Sequence, residues 1–403
     1  NLSPGRSLEL AISAKSDTGD NGQVFWTTVE EPTWSESRSV HFPLVGNADG
    51  DWHLYRITLP VEGRIQHLRL DPGVAEGRFI IDSASLNAVK VNPIRVTELR
   101  QTPAGLVVTV KNTGVDSEKA FVVSGESVAQ NDIVPLAPGE SHTFRLDTSA
   151  LSRFAAMPVA VGSVGAGETV SLENGDRCLI PVYRPDVPCE TKLMDGDGFQ
   201  LRTAKDGSGA EILRNSEVIG VVLVVDDRIA ETDVDFRVSG EAFTCSVQPK
   251  TVDAELSVRD PKIVVRLFGT LEQGVLSGVE YLGHGERSSS TADIETSDHI
   301  RWRPDRIHVT MPLMALVSDR GSLAMTWSDM TLQPEFATPD FVYGTDDLMM
   351  ALGGQFDSPT PISETRSLKP VEVTVRVAGP FGDKGGRVED AIVWAVSENG
   401  LPP

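Results

Sequence analysis

Cysteine is scarce in this chain: three occur in 403 residues, at Cys178, Cys189 and Cys245. They form no CxxC pair and no histidines cluster near them, which argues against a zinc site. Cys178 and Cys189 are close enough in sequence to bridge a short loop, and the sequence leaves that pairing open. Long apolar runs are missing as well. No stretch approaches 18 residues, so no segment reads as a membrane-spanning helix. Positive charge is in deficit, with 36 Lys and Arg against 58 Asp and Glu, a net charge of −22 and a pI near 4.7. A chain this acidic repels phosphate backbones, which excludes nucleic acid as the expected partner. Neutral polysaccharides are not repelled. The acidity also fits plain solubility or a saline habitat.

The easily recognised catalytic motifs are absent too. There is no GxSxG elbow, no GxxxxGK[ST] phosphate cradle, no HExxH and no GxGxxG after a strand. No signal peptide precedes Asn1, and the chain closes on Gly400-Leu401-Pro402-Pro403. Both ends read as cuts through a longer protein, so the missing leader leaves the compartment open.

What is present is a long series of short strands. The 36 Gly and 25 Pro punctuate the chain into segments too brief for helices. At 403 residues the chain exceeds one ordinary core and fits several domains. Residues 1–90 read as consecutive short strands: Ser7–Ala14 alternates apolar and polar with period two, and Gln23–Thr28, Ser39–Leu44, Trp52–Leu59, Ile65–Leu70 and Arg78–Asp82 follow, with turn chemistry at Asn47-Ala48-Asp49-Gly50. That spacing predicts a sandwich or jelly roll. Residues 91–187 predict a second sandwich of about seven strands, including Leu106–Asn112 and a hairpin at Asn174-Gly175. Residues 188–382 predict the largest sandwich, with strands such as Glu217–Val225, Lys262–Phe268, Met314–Val317, Ser322–Trp327, Ile307–Thr310 and Val371–Val377. Residues 383–403 change character. Arg387–Val396 is amphipathic, with Val388, Ala391, Ile392 and Ala395 on one face, so a short helix and a linker to a further domain are expected. The fold class is therefore all-β, multidomain, with one C-terminal helix.

Three resemblances sharpen this. Through Gln23-Val24-Phe25-Trp26, Val40–Leu44, Trp52–Tyr55, Leu68–Gly73 and Ile80-Ile81-Asp82, residues 1–90 resemble carbohydrate-binding-like jelly rolls of secreted bacterial polysaccharide-processing proteins, without the family's first strands. Through Val108–Gly114 and Leu136–Glu140, residues 91–187 look like adhesion-type immunoglobulin-like domains. Through Gly278–Gly283, Glu286–Ser290, Thr310–Ala315 and Ala324–Trp327, residues 188–382 resemble the galactose-mutarotase-like supersandwich that precedes an α/α-barrel in many glycoside hydrolases and polysaccharide lyases. The resemblances imply a secreted, periplasmic or cell-surface protein whose partners are a polysaccharide or oligosaccharide and a downstream catalytic domain.

Sugars stack their apolar ring faces on aromatic planes while polar groups fix orientation. Trp26, Trp34, Trp52 and Tyr55 are the ligand-binding candidates on that ground. Trp34 sits in the polar loop Glu30–Ser37, where an indole has little to pack against; Trp26 and Trp52 fall within strands, where core packing is the stronger reading. Asp71 and Asp82 follow apolar strands and are the candidates for a structural calcium, against a turn-capping role for Asp71 before Pro72-Gly73. No other cofactor is implied. Asp195-Gly196-Asp197-Gly198 lacks the ligand spacing of a calcium loop and reads as a turn. For catalysis, His284 and Glu286 are the compact acid/base pair, with Glu280 and His308 behind them; proton transfer at an anomeric centre needs such a pair converging on one point. A structural or interdomain role competes, as it does for Arg287, Trp302 and Arg303. Three functions follow: a glycan-binding scaffold, a sugar-active enzyme (epimerase, hydrolase or lyase), or a structural cell-surface array.

Overall fold

A computed structural model describes residues 6–17, 20–44, 52–59, 61, 64–73, 76–90, 92–102, 105–114, 117–124, 133–164, 170–171, 177–226, 232–250, 253–255, 261–276, 280–283, 311–330, 332–337, 348–355 and 365–399. Strands dominate, and α1 (Val388–Asn399) is the one α-helix among the described residues. The all-β expectation holds. No described helix is long and apolar enough to cross a membrane.

The first sandwich faces two three-stranded antiparallel sheets. β1 (Arg6–Ser16) lies between β4 (His53–Leu59) and β6 (Phe79–Lys90), and β2 (Asp20–Thr28) lies between β3 (Ser39–Leu44) and β5 (Ile65–Asp71). Alternation decides the core. Leu10, Ile12 and Ala14 of β1, Val24 and Trp26 of β2, Phe42 of β3, and Tyr55, Ile57 and Leu59 of β4 all point inward. Phe42 and Tyr55 meet edge to face at 5.5 Å. Gly22 is required where it stands: a Cβ there would lie 2.5 Å from the Phe42 ring. The edges differ. β3 touches β4, but β5 and β6 each pair on one side only among the described residues, and Leu68, Ile81 and Leu86 remain exposed there.

The second sandwich pairs β7 (Ile94–Thr102), β8 (Gly105–Asn112) and β11 (Ser141–Leu146) against β9 (Glu118–Ser124), β10 (Val134–Leu136), β12 (Phe154–Val164), β13 (Val170–Ser171) and β14 (Arg177–Tyr183). The hairpin expected at Asn174-Gly175 lies outside the described residues.

The largest sandwich stacks two seven-stranded sheets. The first runs in the order Thr191–Gly196, Phe199–Ala204, Gly209–Arg214, Glu217–Val225, Lys262–Leu267, Leu348–Gln355, Leu332–Ala337. The second runs Thr232–Ser239, Ala242–Pro249, Val371–Ala378, Ser322–Thr326, Leu313–Ser318, Leu271–Leu276, Glu280–Gly283. Of Asp195-Gly196-Asp197-Gly198, read as a turn, Asp195 and Gly196 close the strand Thr191–Gly196 and Asp197-Gly198 make the tight turn, with Gly198 at φ +83°. The expected strand at Ile307–Thr310 lies outside the described residues.

Several strands here are apolar at consecutive positions because both faces are buried. In Glu217–Val225, Val222 and Val224 enter the core between the two large sheets, while Val221, Leu223 and Val225 enter the core shared with the second sandwich. Lys262–Leu267 and Leu348–Gln355 divide their side chains in the same way, with Met350 and Leu352 on one face and Met349 and Ala351 on the other. One apolar cluster thus runs from Ile94 to Ala351 without stopping at residue 187. On the second sheet, Met314 and Leu316 face inward, and Leu313, Ala315 and Val317 pack under α1. The helix buries Val388, Ala391, Trp394 and Ala395. Trp394 joins the expected stripe, with Ile392 only partly covered.

Candidate functional site

Alternation in β2 that sends Val24 and Trp26 inward sends Gln23 and Phe25 to the opposite, outer face. The register sets their neighbours: Phe25 stands opposite Ser39 and Arg69, and Gln23 opposite His41 and Asp71. The Arg69 guanidinium lies 4.1 Å from the centroid of Phe25 and 5.4 Å from that of Trp34. It therefore bridges a ring on the sheet and a ring on the loop above it, a cation–π arrangement at both ends. Asp71 holds the guanidinium from the side, accepting hydrogen bonds from Nε at 3.0 Å and a terminal nitrogen at 2.8 Å. Phe25 is buried, whereas Trp34 keeps 43% of its surface exposed.

The Trp34 loop is tied down. Thr28 and Glu31 exchange two hydrogen bonds, at 3.1 and 3.0 Å. Arg38 donates to the Glu31 carboxylate at 2.5 Å and to the Thr33 carbonyl at 2.8 Å. The Gln23 amide donates to Glu36 and to the Ser39 hydroxyl, both at 2.8 Å, and that hydroxyl donates to the Glu36 carbonyl at 2.8 Å. A loop fixed this way presents its indole at little cost in ordering on binding. Arg38 is paired with Glu31 and Arg69 with Asp71, so the face offers hydrogen-bonding groups with its cations internally balanced. Chemically it is an apolar plate beside oriented donors and acceptors.

The other aromatic candidates divide. Trp26 and Tyr55 are 3% and 0% exposed in the first core, so they have no face to offer a sugar and act in packing. Trp52 differs from the core reading. It precedes β4 on the outer side of the neighbouring sheet, 46% exposed, with the Lys15 ammonium 4.4 Å from its ring centroid. Asp71 and Asp82 sit on different sheets, in β5 and β6. No group of three or more metal-ligating side chains occurs among the described residues. His284 and Glu286 lie outside the described residues, as do His308, Arg287, Trp302 and Arg303. Glu280 opens the last strand of the second large sheet. Cys189 and Cys245 are free thiols; burial pushes both above their ordinary pKa.

One polar cluster carried no sequence signal. Glu211, 1% exposed, accepts hydrogen bonds from the Tyr183 hydroxyl at 2.6 Å, Arg153 at 2.9 Å and Arg202 at 2.5 Å. Arg153 also donates to the carbonyls of Val187 and Pro185 at 2.8 and 2.7 Å. Burial, reinforced by the neighbouring carboxylate, pushes the Tyr183 phenol up from its ordinary pKa. With the carboxylate sealed from solvent, this is a joint that locks β12, β14 and the chain after them onto the first large sheet. Arg153, Tyr183 and Arg202 lie 58, 28 and 9 residues from Glu211 in sequence and form no motif with it.

No family model matches the chain, and no curated protein matches it. Among solved structures, the "cycloalternan-degrading enzyme from Trueperella pyogenes in complex with isomaltose" aligns over 70% of this chain and 31% of its own, at 10% identity and a TM-score of 0.18. The chain thus spans about a third of that protein's length, and a likeness so distant carries no functional argument.

Proposed function

We propose that this chain is the carbohydrate-binding and scaffold portion of a secreted polysaccharide-processing protein. The first sandwich holds a glycan on the face under Trp34, and the two larger sandwiches support a catalytic domain that lies beyond these residues. The observation that carries the reading is the exposed Trp34 indole, held over Arg69 on a hydrogen-bonded loop next to Gln23, His41 and Asp71. Stacking on one indole with a few fixed polar groups is how proteins orient a sugar ring. Neutral glycans suit the site best, because its arginines are already paired and the net charge of −22 disfavours acidic chains. The scaffold role is supported by the large sheet buried on both faces and by the Glu211 joint, which tie described strands of the second sandwich to those of the largest one. A glycan array probed with the wild-type chain and with Trp34→Ala tests the proposal. Binding to neutral glycans that weakens in the variant is expected; an array without signal, or one indifferent to Trp34, refutes it.

A further inference from the structure

We propose that the first sandwich has a second saccharide platform on its opposite face, so that one copy of the chain holds two glycan chains at once. This rests on the glycan-binding reading of the Trp34 face and extends it. In β1, Leu10, Ile12 and Ala14 point into the core, so Ser13 and Lys15 point outward. Lys15 stands opposite Ile80 of β6, and Ser13 opposite Ser83. On the other side, Ala14 pairs with His53, which brings Trp52 level with Lys15; the 4.4 Å contact between the ammonium and the indole follows from that register.

Trp52 and Ile80 are each 46% exposed, one on each side of Lys15. Together the three form an apolar strip across the sheet capped by a cation. Next to it the same outer face carries the hydroxyls of Ser13, Ser83 and Ser85. An exposed indole flanked by hydroxyl groups repeats the chemistry of the first platform with different residues. The two indoles flank the same core from opposite sides, and packed sheets lie about 10 Å apart. A single sugar ring therefore cannot stack on both, and each platform must take its own chain. Two outward-facing sites turn the module from a simple anchor into a cross-linker of polysaccharide.

The test uses the full 403-residue chain with a panel of soluble neutral polysaccharides: glucans, mannans, galactans and xylans. Retardation in affinity electrophoresis measures binding, and light scattering of protein–polysaccharide mixtures measures cross-linking. Wild type, Trp34→Ala, Trp52→Ala and the double variant are compared, with far-UV circular dichroism confirming that each is folded. The expected result is retardation that falls in each single variant and vanishes in the double, with cross-linking lost in both singles. Retardation and scattering unaffected by Trp52→Ala but abolished by Trp34→Ala overturn the second platform and leave the first intact. No retardation by any polysaccharide of the panel overturns both.

Discussion

Removing the negative charge at Glu211 should destabilise the joint between the second sandwich and the first large sheet. In Glu211→Gln the side-chain shape is kept, but the carboxylate that now accepts from Tyr183, Arg153 and Arg202 becomes an amide. One amide corner donates rather than accepts, and it faces guanidinium donors. Breaking a buried ion pair from one side costs about 3–5 kcal/mol. Arg202 is 36% exposed and Arg153 17%, so water recovers part of that, and a loss of about 3 kcal/mol is expected. Because the apolar cluster from Ile94 to Ala351 is shared, the loss should appear in one cooperative transition. For a body of this size it corresponds to a fall in Tm of about 5 °C or more. Differential scanning calorimetry of the chain is the assay. A Tm within 1 °C of wild type would refute the claim that the buried carboxylate holds the joint.

Alkaline pH should weaken the same joint. The folded Tyr183 phenol has a raised pKa, so its contribution is complete below about pH 10, the unfolded value. It is lost as pH rises from there towards the folded pKa, because the unfolded state releases the proton first. The slope is at most about 1.4 kcal/mol per pH unit; urea midpoints measured at pH 9, 10 and 11 should fall more steeply for wild type than for Tyr183→Phe. Gly162→Ala would place a Cβ 2.1 Å from the Phe121 ring, and the strain should cost about 1–3 kcal/mol in urea unfolding. Trp26→Ala should cost about 3–5 kcal/mol of stability by emptying the first core, whereas Trp34→Ala should leave the thermal transition in place.

Much of the fold was legible because one face of most strands is wet. The first six strands were read as short segments between turns, the first of them from period-two alternation, and β1 to β5 coincide with those segments to within a few residues. The phase of that alternation also settles the aromatics. Trp26 shares a face with Val24 and is inside. Trp52 falls in step with Arg56 and Thr58 rather than with Tyr55, Ile57 and Leu59, and is outside. Placing Trp52 in a strand was therefore not enough; which residues alternate with it decided its exposure. Trp34 was legible from its polar neighbours, but its partner Arg69 was not, since a cross-strand register of more than thirty residues brings them together. Glu211 was illegible for the same reason: a lone carboxylate in an apolar strand reveals neither its burial nor the two arginines that neutralise it. The doubly buried strands hid their packing as well, because a continuous apolar run does not say which neighbours cover each side.

The most direct measurement is an isothermal titration of the full chain carrying Trp52→Ala, which leaves the Trp34 face as the site read, with the neutral oligosaccharide bound best on the array, repeated after adding Trp34→Ala or Arg69→Ala. If the face under Trp34 is the saccharide site, losing the indole should weaken binding about 30-fold, equivalent to about 2 kcal/mol. Losing the guanidinium beneath it should weaken binding as well, while both variants unfold at the wild-type temperature. Unchanged affinity in Trp34→Ala would contradict the account.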